Sequence, residues 1–188
     1  MPRKIVEICG HCEALTGNPH DYLCKEANSP DPKKREKNIL IRPSWNQVFM
    51  QFALDLSQRS SCRRASVGCI VTSSDNNRVL AIGYNGNVRG GNNDCDSFDV
   101  GKCGCVHAEA NCIVKLDYND ASEKTMHTTC QPCLACSKLI VNANVKRVVF
   151  KDVYRDDSGM DVLSLGGVDV FKYHEHVSGV LRDPLPSI

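Results

Sequence analysis

The sequence predicts a three-layer α/β/α domain on a mixed five-strand sheet. Three observations lead there. Apolar residues recur at helical spacing from residue 44 onward. Two β-branched runs then flank the turn residues Asp75-Asn76-Asn77, the pattern of an antiparallel hairpin. After the hairpin, helix-like and strand-like stretches alternate, which implies parallel strands with helices over both faces. A chain of 188 residues accommodates one such domain and a small appendage.

The elements follow in order. Ser44 is a good N-cap, and Trp45, Val48, Phe49, Phe52 and Leu56 place a helix at about 45–60. Val67–Thr72 and Val79–Ile82 form the hairpin, the second strand running into Gly83-Tyr84-Asn85-Gly86. A loop rich in Gly, Asn and Asp covers about 86–104. A helix then begins near His107, with Ala108, Cys112, Ile113 and Leu116 on its inner side. Thr125–Thr129 is a short strand. Pro132 suits the first turn of a helix continued by Cys136, Leu139, Ile140 and Ala143. Val148–Phe150 and Val168–Phe171 are strands, with a helix at about 158–165 between them. The expected organisation is an N-terminal Cys/His extension and linker over 1–40, the domain over 41–172 and a C-terminal tail over 173–188. Within the extension, 29–38 has the composition of a solvated loop.

Composition narrows the function. Hydrophobic residues make up 41% and charged residues 24%, ordinary for a soluble globular chain. Lys and Arg total 23 against 22 Asp and Glu, a formal net charge of +1, which argues against a protein whose main work is gripping phosphate backbones. No apolar run approaches the roughly 18 residues of a membrane span. The basic start Met1–Cys9 is too short and is broken by Glu7 for a signal peptide, so the expected compartment is the cytoplasm, with no membrane partner. The outlier is 12 cysteines, which in a reducing compartment point to metal or catalysis.

The chemistry concentrates in His107-Ala108-Glu109 and Pro132-Cys133-Leu134-Ala135-Cys136. Cys133 and Cys136 lie three apart, so at a helix start both sulfurs face one side, where the helix N-terminus favours thiolates. Two thiolates and the His107 imidazole suit Zn²⁺ and leave a fourth tetrahedral position open for water, the pattern of a catalytic site. Glu109, two residues from the imidazole, can sit beside that water and carry its proton. The two motifs, in this order, make the H-x-E…P-C-x-x-C signature of zinc deaminases.

The chain resembles the zinc-dependent cytidine/deoxycytidylate deaminase family, closest to its deoxycytidylate (dCMP) branch. Further residues carry the likeness: Ser44-Trp45 and Phe49-Met50 in the first helix, Gln58–Cys62 after it, Ala65–Gly68 into the first strand, Gly83-Tyr84-Asn85-Gly86, Lys138-Leu139-Ile140 and Tyr154. The resemblance covers about 42–172. It implies a cytidine-deaminase-like fold and hydrolysis of dCMP to dUMP with release of ammonia, supplying dUMP for thymidylate synthesis. It implies His107, Cys133 and Cys136 as ligands of a catalytic zinc and Glu109 as the proton carrier. It also implies Asn85 on the sugar and Ala108 in the substrate pocket. Arg64 is the best candidate for the 5′-phosphate, against a plain surface charge; Tyr154 either closes the pocket or packs in the core. Relatives bind regulatory dCTP or dTTP at the turn matching Gly83, Tyr84, Asn85 and Gly86, where Mg²⁺ would accompany the triphosphate, and they often form hexamers.

The remaining cysteines divide by position. The ends of the hairpin bring Cys62 and Cys95 together, and Cys103 and Cys105 leave from the same end. The four read as a closed structural zinc site, which some relatives carry here, or in part as free thiols. Cys9, Cys12 and Cys24 with His20 (or His11) would make a knuckle-like third site. Cys69, Cys112 and Cys130 read as buried small hydrophobes. Two other functions stay open: deamination of dCTP, cytidine or a base in nucleic acid, and a zinc-containing nucleic-acid-binding protein using a Lys33–Lys37 patch.

Overall fold

The structure is a computed structural model that describes residues 6–9, 43–95, 97–99 and 102–174. The elements are β1 (Val6–Cys9), α1 (Trp45–Ser57), β2 (Gly68–Ser73), β3 (Val79–Tyr84), α2 (Ala108–Ile113), β4 (Lys124–Cys130), α3 (Leu134–Asn142), β5 (Val145–Asp152), α4 (Ser158–Leu165) and β6 (Asp169–His174).

The strands form one sheet in the order β1-β6-β5-β4-β2-β3. β2 runs antiparallel to both β3 and β4, while β4, β5, β6 and β1 run parallel. The five predicted strands are therefore present as one mixed sheet. Val6–Cys9 adds a sixth at its edge, so part of the predicted extension belongs to the domain's sheet. β6 also runs to His174, two residues past the expected boundary.

Side chains alternate between the two faces of the sheet as the pleat requires, and β2 and β4 are buried on both. Cys69, Val71, Met126 and Val148 face one side and pack with Ile140 of α3 and Leu163 of α4. Ile70 and Val149 face the other, against Ala53 and Met50 of α1. Helix α1 thus covers one face and α2, α3 and α4 the other. Each fully buried aliphatic side chain contributes about 1.5–3 kcal/mol of transfer free energy.

Local rules account for the element ends. The Ser44 hydroxyl accepts the Gln47 N–H at 3.1 Å and starts α1. That helix closes at Ser57, short of the expected 60, because its final N–H groups shift to a tighter pattern, Arg59 to Leu56 and Ser60 to Ser57. The hairpin turn puts Asn76 at φ 60°, and Asp75 Oδ1 accepts the Asn77 N–H at 3.1 Å. Pro132 lies ahead of α3 rather than in its first turn, because Cys133 is the N-cap with φ −73° and ψ 171°. Gly68 and Gly83 have no room for a side chain: a Cβ would lie 1.8 Å from the Ala53 carbonyl oxygen and 2.4 Å from that of Ala108, respectively. These two glycines let α1 and α2 seat directly on the hairpin.

Candidate active site

The C-terminal ends of β4 and β5 lie on the same edge of the sheet as the start of β2, and the site is built there. β3 leaves this edge into Asn85 and Gly86. The chain then loops away and returns as an isolated bridge: Gly86 N–H donates to the Val106 carbonyl at 3.1 Å and Val106 N–H to Gly86 at 2.8 Å. That bridge delivers His107 as the N-cap of α2, its ring unused by the cap. From the other side, the Gln131 N–H donates to the Asp152 carbonyl at 2.8 Å and ties the β4–α3 connection to β5. Cys133 then caps α3 and Cys136 falls in its first turn.

His107 Nδ1 lies 3.5 Å from Cys133 Sγ and 3.4 Å from Cys136 Sγ. Tetrahedral zinc with bonds of about 2.3 Å to sulfur and about 2.0 Å to nitrogen has ligand-to-ligand edges of roughly 3.5–3.8 Å. The three atoms therefore fit such an ion and present three ligands. Hydrogen bonds from Cys136 and His107 hold the Cys133 thiol down at about 3, a thiolate. The hydrogen bond to Cys133 and burial push Cys136 up, and the bond to Cys133 raises His107. Glu109 is 3% exposed. Burial pushes its carboxyl up to about 7, partly offset by its own backbone N–H and by His107. A carboxyl near neutrality can both take and return a proton at working pH.

A cavity of about 340 Å³ opens onto this cluster. His107, Ala108, Glu109 and Cys133 line it, with Asn85, Arg64 and Tyr154. Cys136 is buried and is not among the lining residues. Asn85 Oδ1 accepts the Val67 N–H and its Nδ2 donates to the Ala65 carbonyl, each at 2.8 Å, so its amide also braces the chain ahead of β2. Gly83, Tyr84 and Gly86 do not line the cavity; Gly83 lies against α2, and a Cβ at Gly86 would meet Ser61 Oγ at 2.9 Å.

The cavity contains residues the sequence reading missed. Cys130 belongs to its wall and is only half-buried, so the expectation of a core cysteine fails; Cys69 and Cys112 are buried as expected. Gln131 and Arg155 also line it. The available signal was adjacency: Gln131 precedes Pro132-Cys133, and Arg155 follows Tyr154.

The second thiol cluster forms as the hairpin geometry predicts. Cys62 Sγ lies 3.3 Å from Cys95 and 3.7 Å from Cys103, and Cys105 lies 3.8 Å from Cys95, again close to tetrahedral edges. The Arg63 N–H donates to Cys95 Sγ at 3.2 Å. Burial pushes Cys62 up, but backbone N–H groups of Arg64 and Ala65 and the neighbouring thiols outweigh it and bring Cys62 down to about 7. Cys62, Cys103 and Cys105 also line the active-site cavity, so the two clusters share a wall. Cys12, His20, Cys24 and the alternative His11 lie outside the described residues, as does the Lys33–Lys37 patch; Cys9 is the last residue of β1.

A three-layer domain with a His-Cys-Cys zinc-ligand set beside a buried glutamate defines the class of zinc-dependent base deaminases. The chain belongs to the cytidine and deoxycytidylate deaminase family, whose zinc-binding region matches residues 43–152. It is 34% identical over 155 residues to deoxycytidylate deaminase of Saccharomyces cerevisiae, covering 76% of this chain and 49% of that protein. It is 36% identical over 126 residues to deoxycytidylate deaminase of Mycobacterium phage D29, covering 59% of this chain and 97% of that protein. Among solved structures it is similar to dCMP deaminase from the cyanophage S-TIM5 in complex with dCMP and dUMP, with 35% identity, TM-score 0.63, 70% of this chain and 98% of that chain. The chain spans about half the length of the yeast proteins it matches. Among the described residues, no helix is long and apolar enough to cross a membrane.

Proposed function

We propose that this chain hydrolyses dCMP to dUMP and ammonia. The observation that carries the reading is Glu109, buried beside the His107–Cys133–Cys136 ligand set at the closed end of a cavity of nucleotide-compatible size. Support comes from relatives called deoxycytidylate deaminase and from the S-TIM5 enzyme with dCMP and dUMP bound. Zinc, when held by His107, Cys133 and Cys136, lowers the pKa of a water in its fourth position. Glu109 accepts the proton of the water that attacks C4 of the cytosine and returns it to the departing amine, so one water is consumed and one ammonia released. The Ala108 N–H, at the start of α2, has no intrahelical acceptor and is placed to hold the base. Asn85 keeps one amide hydrogen for the sugar while bracing β2, Tyr154 closes over it, and Arg64 takes the 5′-phosphate.

The same reading assigns a structural zinc to Cys62, Cys95, Cys103 and Cys105, and a third zinc to Cys9, Cys12, His20 and Cys24. It places regulatory dCTP or dTTP, with Mg²⁺, at Gly83–Gly86 of a cytoplasmic homo-oligomer, a hexamer by resemblance. An ammonia-release panel of cytidine, dCMP, dCTP and single-stranded DNA, with and without dCTP and dTTP, tests it. The expected result is highest kcat/KM with dCMP and a response to the triphosphates. Preference for any other substrate overturns the assignment, and identical rates with and without triphosphate remove the regulatory site.

A further inference from the structure

Among the described residues, Cys130 is the cavity thiol that belongs to neither ligand set, and the proposed proton transfer does not use it. Its position follows from strand register. Cys69 of β2 pairs with Thr128 of β4 in antiparallel fashion, so two residues further on Val67 comes beside Cys130. Both side chains line the cavity and both are half-buried. Val67 packs against the core cluster that holds Cys69 and Met126, so the pair lies on the sheet face that α2 and α3 cover. A free thiol behaves as a small hydrophobe. The two side chains therefore make an apolar patch on the sheet side of the cavity, while α2 supplies polar groups, the Ala108 N–H and the Glu109 carboxyl.

The patch has little freedom to give way. The Val67 N–H donates to Asn85 Oδ1 at 2.8 Å, and the Val67 carbonyl accepts the Asn85 N–H at 3.1 Å. The Gly68 N–H donates to Thr129 Oγ1 at 3.1 Å and fastens β2 to β4 beside the pair. The Thr128 hydroxyl donates to the Cys130 carbonyl at 3.1 Å, and Cys130 is paired with Asp152 of β5. A wall whose backbone is held from both sides selects by size, because a packed surface resists overfilling.

A cytosine ring has two unlike edges. O2, N3 and the 4-amino group are polar, whereas C5–H and C6–H are not. With C4 at the His107–Cys133–Cys136 set, the lining residues follow the order of the ring atoms. Cys133 stands at C4, and Cys130 precedes it by three residues at the end of β4. Val67 lies beside Cys130, and Asn85, assigned to the sugar on N1, is hydrogen-bonded to Val67. C5 and C6 are the two ring atoms on the apolar path from C4 to N1. We infer that Cys130 faces C5 and Val67 faces C6, and that the size of the Cys130 side chain sets the largest C5 substituent the cavity accepts. This rests on the deaminase reading, which places C4 and the sugar. Cys130 is a specificity residue with no part in the proton transfer.

The test is steady-state ammonia release from dCMP and 5-methyl-dCMP by wild type, Cys130→Ser, Cys130→Ala and Cys130→Leu. The readout is the ratio of kcat/KM for 5-methyl-dCMP to that for dCMP. Cys130→Leu should lower this ratio about 10- to 200-fold, the range that one methyl-sized difference commands in an apolar pocket. Cys130→Ala should raise it, and Cys130→Ser, of nearly the same size, should leave it close to wild type. General damage to the fold penalises both substrates alike and does not move the ratio. If Cys130→Leu does not fold, Cys130→Ala decides alone. A ratio that no folded variant moves overturns the assignment. Calorimetric binding of dUMP and its 5-methyl analogue dTMP, which needs no turnover, separates this from failure of the deaminase reading. If wild type releases ammonia from neither substrate, that reading falls, and a dTMP-to-dUMP affinity ratio lowered by Cys130→Leu and raised by Cys130→Ala still supports the wall. The same affinity ratio in every variant overturns it.

Discussion

At the scale of single residues, the proposed chemistry turns on the difference between Glu109 and an ordinary surface carboxyl. Enclosure in the cavity floor raises it to about 7, so protonated and ionised forms are both populated near neutral pH. Glu109→Gln preserves size and hydrogen-bonding capacity and removes only the titration. Metal analysis should find zinc retained, while ammonia release from dCMP falls at least ~10²-fold; near-normal turnover would remove Glu109 from proton transfer. His107, Glu109, Cys133 and Cys136 were legible in the sequence because each pair lies within one helical turn of a helix start, so spacing alone encodes a shared direction. Arg155, Gln131 and Cys130 were not. They join the site only through the lateral order of β2, β4 and β5, and no local pattern in a single chain reports which strands become neighbours.

At the scale of elements, the proposed structural zinc would act on the long connection between β3 and α2. Its described residues have few buried apolar side chains, and Cys95, Cys103 and Cys105 tie it to Cys62 ahead of β2 through thiol contacts of 3.3–3.8 Å. Metal analysis of the purified chain should return at least two zinc ions per chain, and three if the Cys9–Cys24 segment binds one. Cys103→Ser should lower the count by one and weaken dCMP binding through the shared wall. A count of one in wild type overturns both structural sites. This cluster could be read from the sequence because the two ends of an antiparallel hairpin must meet. The β1 strand could not: Val6–Cys9 is four residues long, and its partner Phe171–His174 lies at the other end of the chain. A pairing that distant leaves no periodicity to read.

At the scale of the whole molecule, the fold buries a titratable ring between the sheet and α1: His127 is fully buried. His127 Nε2 lies 2.7 Å from Asn46 Oδ1, and its ring tilts against Phe49 at 5.2 Å between centroids. Burial, with a smaller contribution from Arg147, brings its pKa down from 6.5 to about 3. The folded state thus holds a neutral ring where the unfolded chain holds a charged one. Because the folded pKa is lowered, the contribution is complete above pH 6.5 and is lost as pH falls from 6.5 toward 3. Between pH 7 and pH 5 this amounts to about 2 kcal/mol. Urea denaturation of wild type and His127→Gln across that range should show the steeper decline in wild type by this amount; parallel profiles would mean the imidazole is protonated inside the fold.

The Gly86–Val106 bridge has an evolutionary consequence. The chain departs from the domain and rejoins it at this bridge, Arg63 and Cys62 hold it again at Asp94 and Cys95, and between these points Gly90, at φ 85°, has open space where a Cβ would lie. Doubling the length of such an excursion costs only ~0.6 kcal/mol of closure entropy. Insertions and deletions between Val88 and Asn93, short of the Asp94–Arg63 ion pair, are thereby uncoupled from the position of His107. The lineage can lengthen, shorten or redecorate this lobe, and with it what the molecule meets at its surface, without disturbing the ligand set.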